Sequence, residues 1–599
     1  MAESPSKGAI DNVTYKLKVN GNEVKGFTKV LSLEVQRTIG RIPTAIVRLV
    51  LPVGHGDDQA FRLSESEDYA PGKPVEIEVG YHTNYEPVFK GIIVGQSIRS
   101  QYDQPKYLEL RCSDKAVKMT LGRKSAFYVD QTDSAIIGAL IDEHGLEKDV
   151  EATSYTHPQL TQLHSTNWDF LRARADANGL LVFAEDGKVM VKKPESSAEP
   201  ELEVLYGKDV LAFDARIESR YQAGATTCKS WAAKTQAMLE KPGVEPTLAT
   251  FGNLNGTTLA ETMGSPDEDW ISSSPLANEE LQSWADARLV RSRLTAMHGT
   301  VTFFGNAKPK LNTLIELGGF GERYNGKALI TDIYHRVKAG RWETTIGFGL
   351  SPEWHYEQVA ISSPPAGGLL PGISGLHIGK VKKLDEDPLN ENRIQVDIPS
   401  IDAAGEKSTW ARLSNFYATS GKGSFFLPEI GDEVVLGFLN GDPRYAVILG
   451  SLYSSSLAPP YPLEAENKIK AIVTNSELKV EFDDDQKILT LETPKKNTFI
   501  LSDKDKKITI KDQSGNLIEM SDSGITIKSA KDITMEATGN INIKANQNIA
   551  AKSSGGNFSA EGLQVAMKAQ TSFSAQGSAQ AEVKSSGMTT IKGSMVMIN

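Results

Sequence analysis

The nine histidines are the first residues to consider for catalysis or metal binding, and they are scattered along the chain. None lies in a His-x-His or His-Glu-x-x-His pattern, the spacings that direct two imidazoles toward one zinc ion. The densest acidic-histidine group, Asp-Glu-His-Gly at residues 142–145, has the composition of a helix end, where the helix dipole favours histidine. The two cysteines, Cys112 and Cys228, are too few for a disulfide framework. The sequence therefore predicts no metal site and no cofactor.

Three other patterns could support catalysis, and each has a simpler interpretation. The acidic triplet 483–485 could supply the two carboxylates of a glycosidase, but it resembles a solvated charge run at the start of a polar repeat. Residues 318–321, Gly-Gly-Phe-Gly, lack the helix and lysine that follow a phosphate loop, so we expect a hairpin there. No Gly-x-Ser-x-Gly nucleophile elbow is present. We expect that the protein is not an enzyme.

The charge and hydropathy of the chain limit the partners and the cellular location that we expect for it. The 599 residues carry a net charge of -11, which disfavours nucleic acid as a partner because phosphate binding requires basic surfaces. The N-terminus has no basic segment followed by an apolar one, and no apolar run approaches the roughly 18 residues of a membrane span. We expect a protein made in the cytoplasm without a signal peptide.

The composition changes abruptly near residue 478. All seven tryptophans precede residue 411, and the last tyrosine is Tyr461. From residue 478 onward, apolar pairs at i and i+2 recur, strictly every eight residues from 525 to 549 and more loosely before and after that run. Spacing of two is strand alternation, and glycine, asparagine, aspartate and serine between the pairs favour turns. The sequence predicts a β-solenoid whose core includes Ile525, Ile527, Ile533, Met535, Ile541 and Ile543.

Two solenoids fit this repeat: one coiling chain, or three chains wound together. A single-chain coil needs capping elements at its ends, and none is evident before residue 478, so the trimer is favoured. Because the last residues still follow the repeat, we expect no C-terminal enzymatic domain. The last layer would be an apolar open edge that requires a separate capping protein. Its candidate tip-binding residues are Ile591, Met595, Met597, Ile598 and Asn599.

The module before the solenoid, residues 375–455, has the pattern of a small barrel. Five short strands separated by glycine, aspartate, asparagine and proline turns within about 80 residues are typical of an OB fold. OB barrels often bind oligonucleotides, but residues 373–453 hold 8 basic and 11 acidic residues, which disfavours that role. Within this module, residues 425–450 carry the strongest strand and turn pattern. They contain a predicted structural motif of Pro428, Gly431, Gly441 and Gly450.

The N-terminal half is mainly β, with helical segments predicted around residues 168–178 and 276–294. The fold class is therefore mainly β: two β-barrel hub lobes with inserted helices, an OB-fold barrel and a C-terminal intertwined trimeric β-helix. The predicted divisions are lobe 1 at 1–125, a helical section at 126–204, lobe 2 at 205–362, a glycine- and proline-rich linker at 363–374, the barrel at 375–455, a neck at 456–477 and an octad-repeat spike at 478–599.

Three segments together resemble the VgrG spike family of contractile injection systems: the helix-turn at 168–180, the helix-into-strand at 285–304 and the barrel segment at 428–450. The resemblance spans essentially the whole chain. It implies a structural homotrimer at the front of a contractile tube that punctures a target membrane and carries cargo. It also implies a PAAR-repeat-like tip protein at the apex, inner-tube, tube-initiator and baseplate proteins at the hub, possible effectors, and export by contraction or release with the particle.

The alternative function is a trimeric tailspike that binds or cleaves glycans. Such a solenoid would carry clustered carboxylates and aromatic side chains that stack on sugars. The tail has acids but no tryptophan, and no tyrosine beyond Tyr461, which counts against this alternative.

Overall fold

The computed structural model describes residues 2–6, 11–24, 29–51, 62–102 and 105–598. These residues form two compact units, 1–452 and 453–599. Each unit is described by itself.

The first part of unit 1 is an antiparallel sheet built from strands with alternating apolar side chains. In the third strand, Leu33, Val35 and Arg37 are buried while Gln36 is exposed, the period of two expected for one covered face. The elements are β1 (Val13–Val19), β2 (Asn22–Glu23), β3 (Val30–Thr38), β4 (Thr44–Val50), α1 (Arg62–Glu65), β5 (Pro74–Tyr81), β6 (Asn84–Arg99), β7 (Tyr107–Ser113) and β8 (Lys124–Thr132).

A helical section follows. Its elements are α2 (Asp133–Asp142), β9 (Glu147–Val150), β10 (Thr156–Ser165), α3 (Asn167–Ala177), β11 (Leu181–Glu185), β12 (Lys188–Lys192) and β13 (Glu203–Leu205). Helix α3 begins after Thr166, whose hydroxyl accepts a hydrogen bond from the Asp169 amide at 3.0 Å. It ends at Asn178, and Gly179 has a φ of +65°, which suits glycine. The helix-turn predicted at residues 168–180 is confirmed.

The remainder of the hub returns to β structure around one long helix. Its elements are β14 (Val210–Ile217), β15 (Thr226–Ala232), β16 (Ala237–Pro242), α4 (Gly256–Met263), β17 (Glu268–Ser272), α5 (Asn278–Leu294), β18 (Met297–Phe304), β19 (Leu314–Gly318), β20 (Gly326–Lys338), β21 (Arg341–Phe348) and α6 (His355–Gln358). Helix α5 confirms the helix predicted at 276–294. Strands β19 and β20 pair antiparallel across residues 319–325, so the predicted hairpin at the glycine-rich segment is confirmed.

The two predicted lobes share one sheet. Strand β20 pairs with β3 from Asp332 opposite Thr38 to Lys338 opposite Ser32. This pairing joins the strands in the order β14-β18-β21-β20-β3-β4-β7-β6-β5-β1-β2. The core is shared as well, because Trp342 from the later segment packs with Leu33 and Val35 of the first. The seam between the lobes is therefore a continuous ladder of backbone hydrogen bonds.

The barrel at the end of unit 1 is closed. Its strands are β22 (His377–Lys383), β23 (Arg393–Asp397), β24 (Thr409–Leu413), β25 (Ala418–Thr419), β26 (Lys422–Gly423), β27 (Glu433–Phe438) and β28 (Ala446–Ser451). The barrel runs β22-β23-β24-β28-β27, and β25 with β26 forms a separate small hairpin. Val396, Val434, Leu436 and Ile448 fill its interior. The predicted five-stranded barrel is confirmed.

Unit 2 contains a seven-stranded antiparallel meander. Its strands are β29 (Ile469–Val473), β30 (Lys479–Asp483), β31 (Ile488–Glu492), β32 (Thr498–Ser502), β33 (Lys507–Lys511), β34 (Leu517–Ser521) and β35 (Gly524–Lys528). The sheet begins inside the predicted neck, because β29 pairs with β30 along its whole length. Within the described residues 529–598, no strand is paired inside the single chain.

Candidate assembly interface

The meander is built from a hairpin unit that repeats every 19 residues. Five-residue loops begin at residues 474, 493 and 512, a constant spacing of 19. In each loop the amide of the first residue donates to the carbonyl of the last, at 3.0, 3.0 and 3.1 Å. The side-chain oxygens of Thr474, Thr493 and Asp512 accept the amide of the last loop residue, which closes the turn. The looser apolar pairs before residue 525 therefore follow a hairpin period instead of the octad.

The apolar pairs of the meander all lie on one side of the sheet. Leu489 lies opposite Leu501, Leu491 opposite Phe499, and Phe499 opposite Ile510, so each pair stacks on the next strand. We call this side the apolar face; it consists of Val480, Phe482, Leu489, Leu491, Phe499, Leu501, Ile508, Ile510, Ile518, Met520, Ile525 and Ile527. Cross-strand apolar pairs of this kind stabilise a sheet and fix its register.

The apolar face is uncovered in the single chain. Phe482 is 46% exposed, Ile510 is 44% exposed and Ile525 is 70% exposed. Contiguous apolar surface of this extent marks a contact surface in soluble proteins. Covering it would stabilise the assembly by about 1 kcal/mol or more for each half-exposed side chain that becomes buried.

The opposite side of the meander is mostly polar, with Ile488 and Ile500 as apolar members, and it carries ion pairs. Lys479 lies 3.0 Å from Glu481 and 3.8 Å from Glu492, and Lys496 lies 2.7 Å from Glu492. The hydrogen bond from Lys496 lowers the pKa of Glu492. The side chains of Lys479, Glu481 and Glu492 are only 19–22% exposed, so this side is partly covered within the single chain, whereas much of the apolar face is not.

The predicted solenoid core residues fall into two groups. Ile525 and Ile527 lie on β35, opposite Met520 and Ile518 of β34, and complete the apolar face. The other four, beyond β35, are at least 52% exposed in the single chain, and intrachain pairing does not bring them together: Ile533, Met535, Ile541 and Ile543.

The predicted tip-binding residues are also exposed in the single chain. Ile591 is 68% exposed, Met595 77%, Met597 81% and Ile598 88%. Asn599 lies outside the described residues.

The barrel motif is distributed over turns and one strand. Gly431 and Gly441 have φ values of +98° and +63°, conformations that favour glycine, and each begins or ends a turn next to β27. Pro428 lies in the loop before β27. Gly450 lies in β28, and a Cβ built there meets nothing within 4 Å, so this position does not require glycine.

An aromatic cluster on the barrel was missed from the sequence. Phe416, Tyr417, Phe425 and Phe426, which flank the β25–β26 hairpin, are between 55% and 90% exposed. The available signal was the lack of alternation in Phe-Phe-Leu-Pro, since a strand that is covered on one face alternates.

The acidic-histidine group at residues 142–145 occupies the end of α2, as predicted. Lys124 lies 2.7 Å from Glu143, and the Asn167 side-chain amide donates to Glu143 at 2.8 Å. Burial raises the pKa of this carboxyl, but the hydrogen bonds from Lys124 and Asn167 outweigh it and leave the pKa of Glu143 below its usual value. Among the described residues, no three or more histidine, cysteine, aspartate or glutamate side chains are grouped so that they could hold a metal ion. No helix in the described ranges is long and apolar enough to cross a membrane.

Two family models match the C-terminal part of the chain. The model for the type VI secretion system/phage-baseplate injector OB domain matches residues 377–453. The model for the phage baseplate V C-terminal trimerisation domain matches residues 488–549, which include most of the apolar face.

Curated relatives match over short segments. The type VI secretion system spike protein VgrG3 of Vibrio cholerae is 36% identical over 87 residues, which cover 14% of this chain and 8% of the relative. The spike protein VgrG1b of Pseudomonas aeruginosa is 27% identical over 203 residues, 31% of this chain and 27% of the relative. The actin cross-linking toxin VgrG1 of Vibrio cholerae is 41% identical over 68 residues, 11% of this chain and 6% of the relative. The matched segments thus span less than a third of the length of each of these relatives.

Solved structures superpose at low similarity. A type VI secretion component of E. coli is 14% identical with a TM-score of 0.36, and the match covers 73% of this chain and 100% of that one. The Francisella PdpA-VgrG complex is 10% identical with a TM-score of 0.37, covering 88% and 81%.

The closed OB barrel followed by a trimerisation domain, together with the VgrG relatives, defines a VgrG-type spike of a contractile injection system. The resemblance noted from the sequence is therefore confirmed. The model for the Alg8 N-terminal domain matches residues 9–339, more than half of the chain, and the chain belongs to that family.

Proposed function

We propose that the protein is a homotrimeric structural spike that transmits the force of a contractile tube to a target membrane. The observation that carries this proposal is the apolar face of the meander, which is regular, one-sided and uncovered in the single chain. Three copies that bring their apolar faces together form a common core with the polar faces outside. Such a core needs no further partner along its length, which suits a shaft that must stay rigid under load.

Light scattering on the purified full-length chain tests the trimer. We expect a mass three times the 65.1 kDa of the chain. A matched pair of double variants on β33 tests the face that carries the contact. I508D together with I510D places charges on the apolar face, whereas T509D together with K511D changes the neighbouring residues that point to the opposite side.

The apolar-face variant should elute at the single-chain mass, and the control should remain trimeric. A single-chain mass for the unmodified protein overturns the proposal, as does an equal effect of the two variants. Cleavage of polysaccharide or peptidoglycan by the purified protein would favour the tailspike alternative.

We further propose that a PAAR-repeat-like protein caps the apolar residues near the C-terminal end. Exposed Ile591, Met595, Met597 and Ile598 would be covered by such a cap. Replacing Met595 and Met597 by serine should abolish co-purification with a candidate tip protein. Replacing the neighbouring polar Ser594 by alanine should leave it unchanged. Retention of the tip protein by the double methionine variant would refute this assignment.

The remaining proposals concern the contacts of the hub, the cargo and the export of the protein. We propose that the unit comprising residues 1–452 contacts the inner tube, its initiator and the baseplate. Effectors would bind to the spike and be carried with it. The protein itself would have no catalytic activity. It would be made in the cytoplasm and leave with the particle or by contraction. Co-purification of the full chain with the tube protein of the same system, and its loss when hub surface residues are changed, tests the hub contact.

A further inference from the structure

The hub contains a cleft of about 800 Å³ where six segments of the chain meet. The turn between β3 and β4 lines one side, and α3 and α5 line another. The end of β21 and the segment up to residue 359 close the cleft. Three arginines from three of these segments lie in its wall: Arg41, Arg172 and Arg291.

Arg172 makes no ion pair with the described residues, although two carboxylates lie in its vicinity. Its guanidinium donates to the backbone carbonyl of Gly40. No carboxylate among the described residues lies within 4 Å of it, and none of its other N–H groups has a protein acceptor there. Burial lowers the pKa of Arg172; the carboxylates of Asp176 and Asp169 oppose this shift without contacting the guanidinium, and the nearby Arg291 and Arg41 add to it. A half-buried guanidinium with free donors is costly unless an acceptor reaches it.

The turn is shaped around this guanidinium. A Cβ at Gly40 would lie 2.2 Å from Nη1 of Arg172, and the φ of Gly40 is +81°. Glycine therefore both permits the turn and leaves room for the arginine. Arg41, the next residue, is exposed, and in the described part of the chain its guanidinium has no acidic partner within 4 Å.

The wall of the cleft also contains three acids, Asp332, Glu353 and Glu357. Two of these acids and the third arginine, Arg291, already have hydrogen-bond or ion-pair partners within the chain. Arg291 lies 2.6 Å from Asp176, outside the wall. Glu357 accepts a hydrogen bond from the Trp354 amide at 2.6 Å, and Asp332 accepts from Thr38 and Gln36. The third acid, Glu353, is exposed, and no ion pair holds it among the described residues. Two free guanidiniums, Arg41 and Arg172, are thus left facing the cleft.

We infer that this cleft binds a carboxylate, carried on an acidic segment of a partner protein or on a small free dicarboxylate. A planar carboxylate matches the guanidinium fork. Three acids lie in the wall beside the three arginines, so the cleft has little net charge. The acids would repel a polyphosphate or nucleic acid, which carries many negative charges, more than a single carboxylate. The inference concerns the hub alone and does not depend on the proposed trimer.

Binding of a blocked Gly-Glu-Gly-Glu-Gly peptide to the full-length chain, measured by calorimetry, tests the inference. The same peptide with glutamine in place of glutamate, glutarate and inorganic phosphate are the comparison ligands. R41Q removes one free guanidinium at an exposed position, so folding is not at risk. R172K keeps the charge but removes the fork, and R341Q is the matched control, an exposed arginine at the β20–β21 turn outside the cleft.

We expect R41Q and R172K each to weaken peptide binding by about tenfold, the usual loss for one charged hydrogen-bonded contact, and R341Q to change it less than about twofold. Glutarate that competes as well as the peptide would identify a free dicarboxylate as the ligand, and weaker competition would identify a protein segment. The inference is wrong if the glutamate peptide and glutarate both fail to bind. It is also wrong if the glutamine peptide or phosphate binds as tightly, or if R41Q binds as the unmodified chain does.

Discussion

At the scale of single residues, the hub is held by polar side chains enclosed in apolar surroundings. Arg288 of α5 lies between two tryptophan rings, 3.7 Å from the centroid of Trp270 and 3.9 Å from that of Trp354. It also donates to the Tyr356 hydroxyl at 3.0 Å and lies 3.6 Å from Glu357. One guanidinium thus fastens a long helix, a small sheet and the segment that leads to the barrel. Lysine could not replace it, since an ammonium cannot stack flat on both rings.

R288M should lower the free energy of unfolding of the hub by about 2–3 kcal/mol, because it removes two ring contacts and an ion pair from a nearly buried site. R288K should lie between that variant and the unmodified protein. Urea unfolding followed by tryptophan fluorescence measures the change. R341M, at an exposed position, is the control and should differ by less than about 0.5 kcal/mol. Equal midpoints for R288M and the control would contradict this role.

The buried imidazole of His335 should make the hub acid-sensitive. Burial lowers its pKa to about 3, and Nδ1 lies 3.0 Å from the Thr344 hydroxyl oxygen. An unfolded histidine takes up a proton near pH 6.5, so between pH 6.5 and 3 the unfolded state binds more protons. The free energy of unfolding therefore falls as the pH falls through this window, by up to about 1.4 kcal/mol per pH unit.

H335Q removes this proton uptake. Its unfolding free energy, measured in urea from pH 7 to pH 5, should fall less steeply than that of the unmodified protein. Parallel pH profiles for the two proteins would show that His335 does not carry the acid sensitivity.

At the scale of elements, the sequence was most informative where side chains alternate. The apolar pairs at i and i+2 placed one face of every strand from 489 to 527 correctly, because strand alternation is local. The partner of each strand is not local, so the 19-residue hairpin and the start of the sheet at β29 could not be predicted. The same reason hid the β3–β20 pairing and the cleft formed by Arg41, Arg172 and Arg291. Those residues become neighbours only through the tertiary fold.

The meander should tolerate an added residue in a loop but not in a strand. An alanine inserted after Ser514 lengthens the five-residue loop. An alanine inserted after Thr509 turns Ile510 toward the polar side or forces a bulge. We expect the strand insertion to lower the melting temperature of unit 2 strongly and the loop insertion to change it little. Circular dichroism on the two full-length variants makes the comparison, and equal melting temperatures would contradict the one-sided face.

At the scale of the whole molecule, the two units differ in how much of their apolar surface is buried within the single chain. The unit 1–452 has large buried cores, including Leu33, Val47 and Ile333. In the described part of unit 453–599, Ser502 is the one residue that is buried within the single chain. The first unit therefore carries its own hydrophobic core, whereas the second depends on surfaces outside the chain.

Calorimetry should therefore show two transitions with different concentration dependence. The transition of the hub should keep its temperature when the protein is diluted tenfold, because its core is intramolecular. The transition of the rod should move to lower temperature on dilution, because dissociation accompanies unfolding. Identical behaviour of both transitions would mean that unit 2 does not depend on association.

The β3–β20 seam has a consequence for how the chain is made. Thr38 and Asp332 are hydrogen-bonded across 294 residues of sequence. Ribosomes add about 5–20 residues per second, so the outer edge of β3 waits roughly 15–60 seconds for its partner. During that interval an unpaired strand edge is open to other nascent chains. The edge of β3 is therefore most open to wrong pairing in the interval before the later half of the hub emerges.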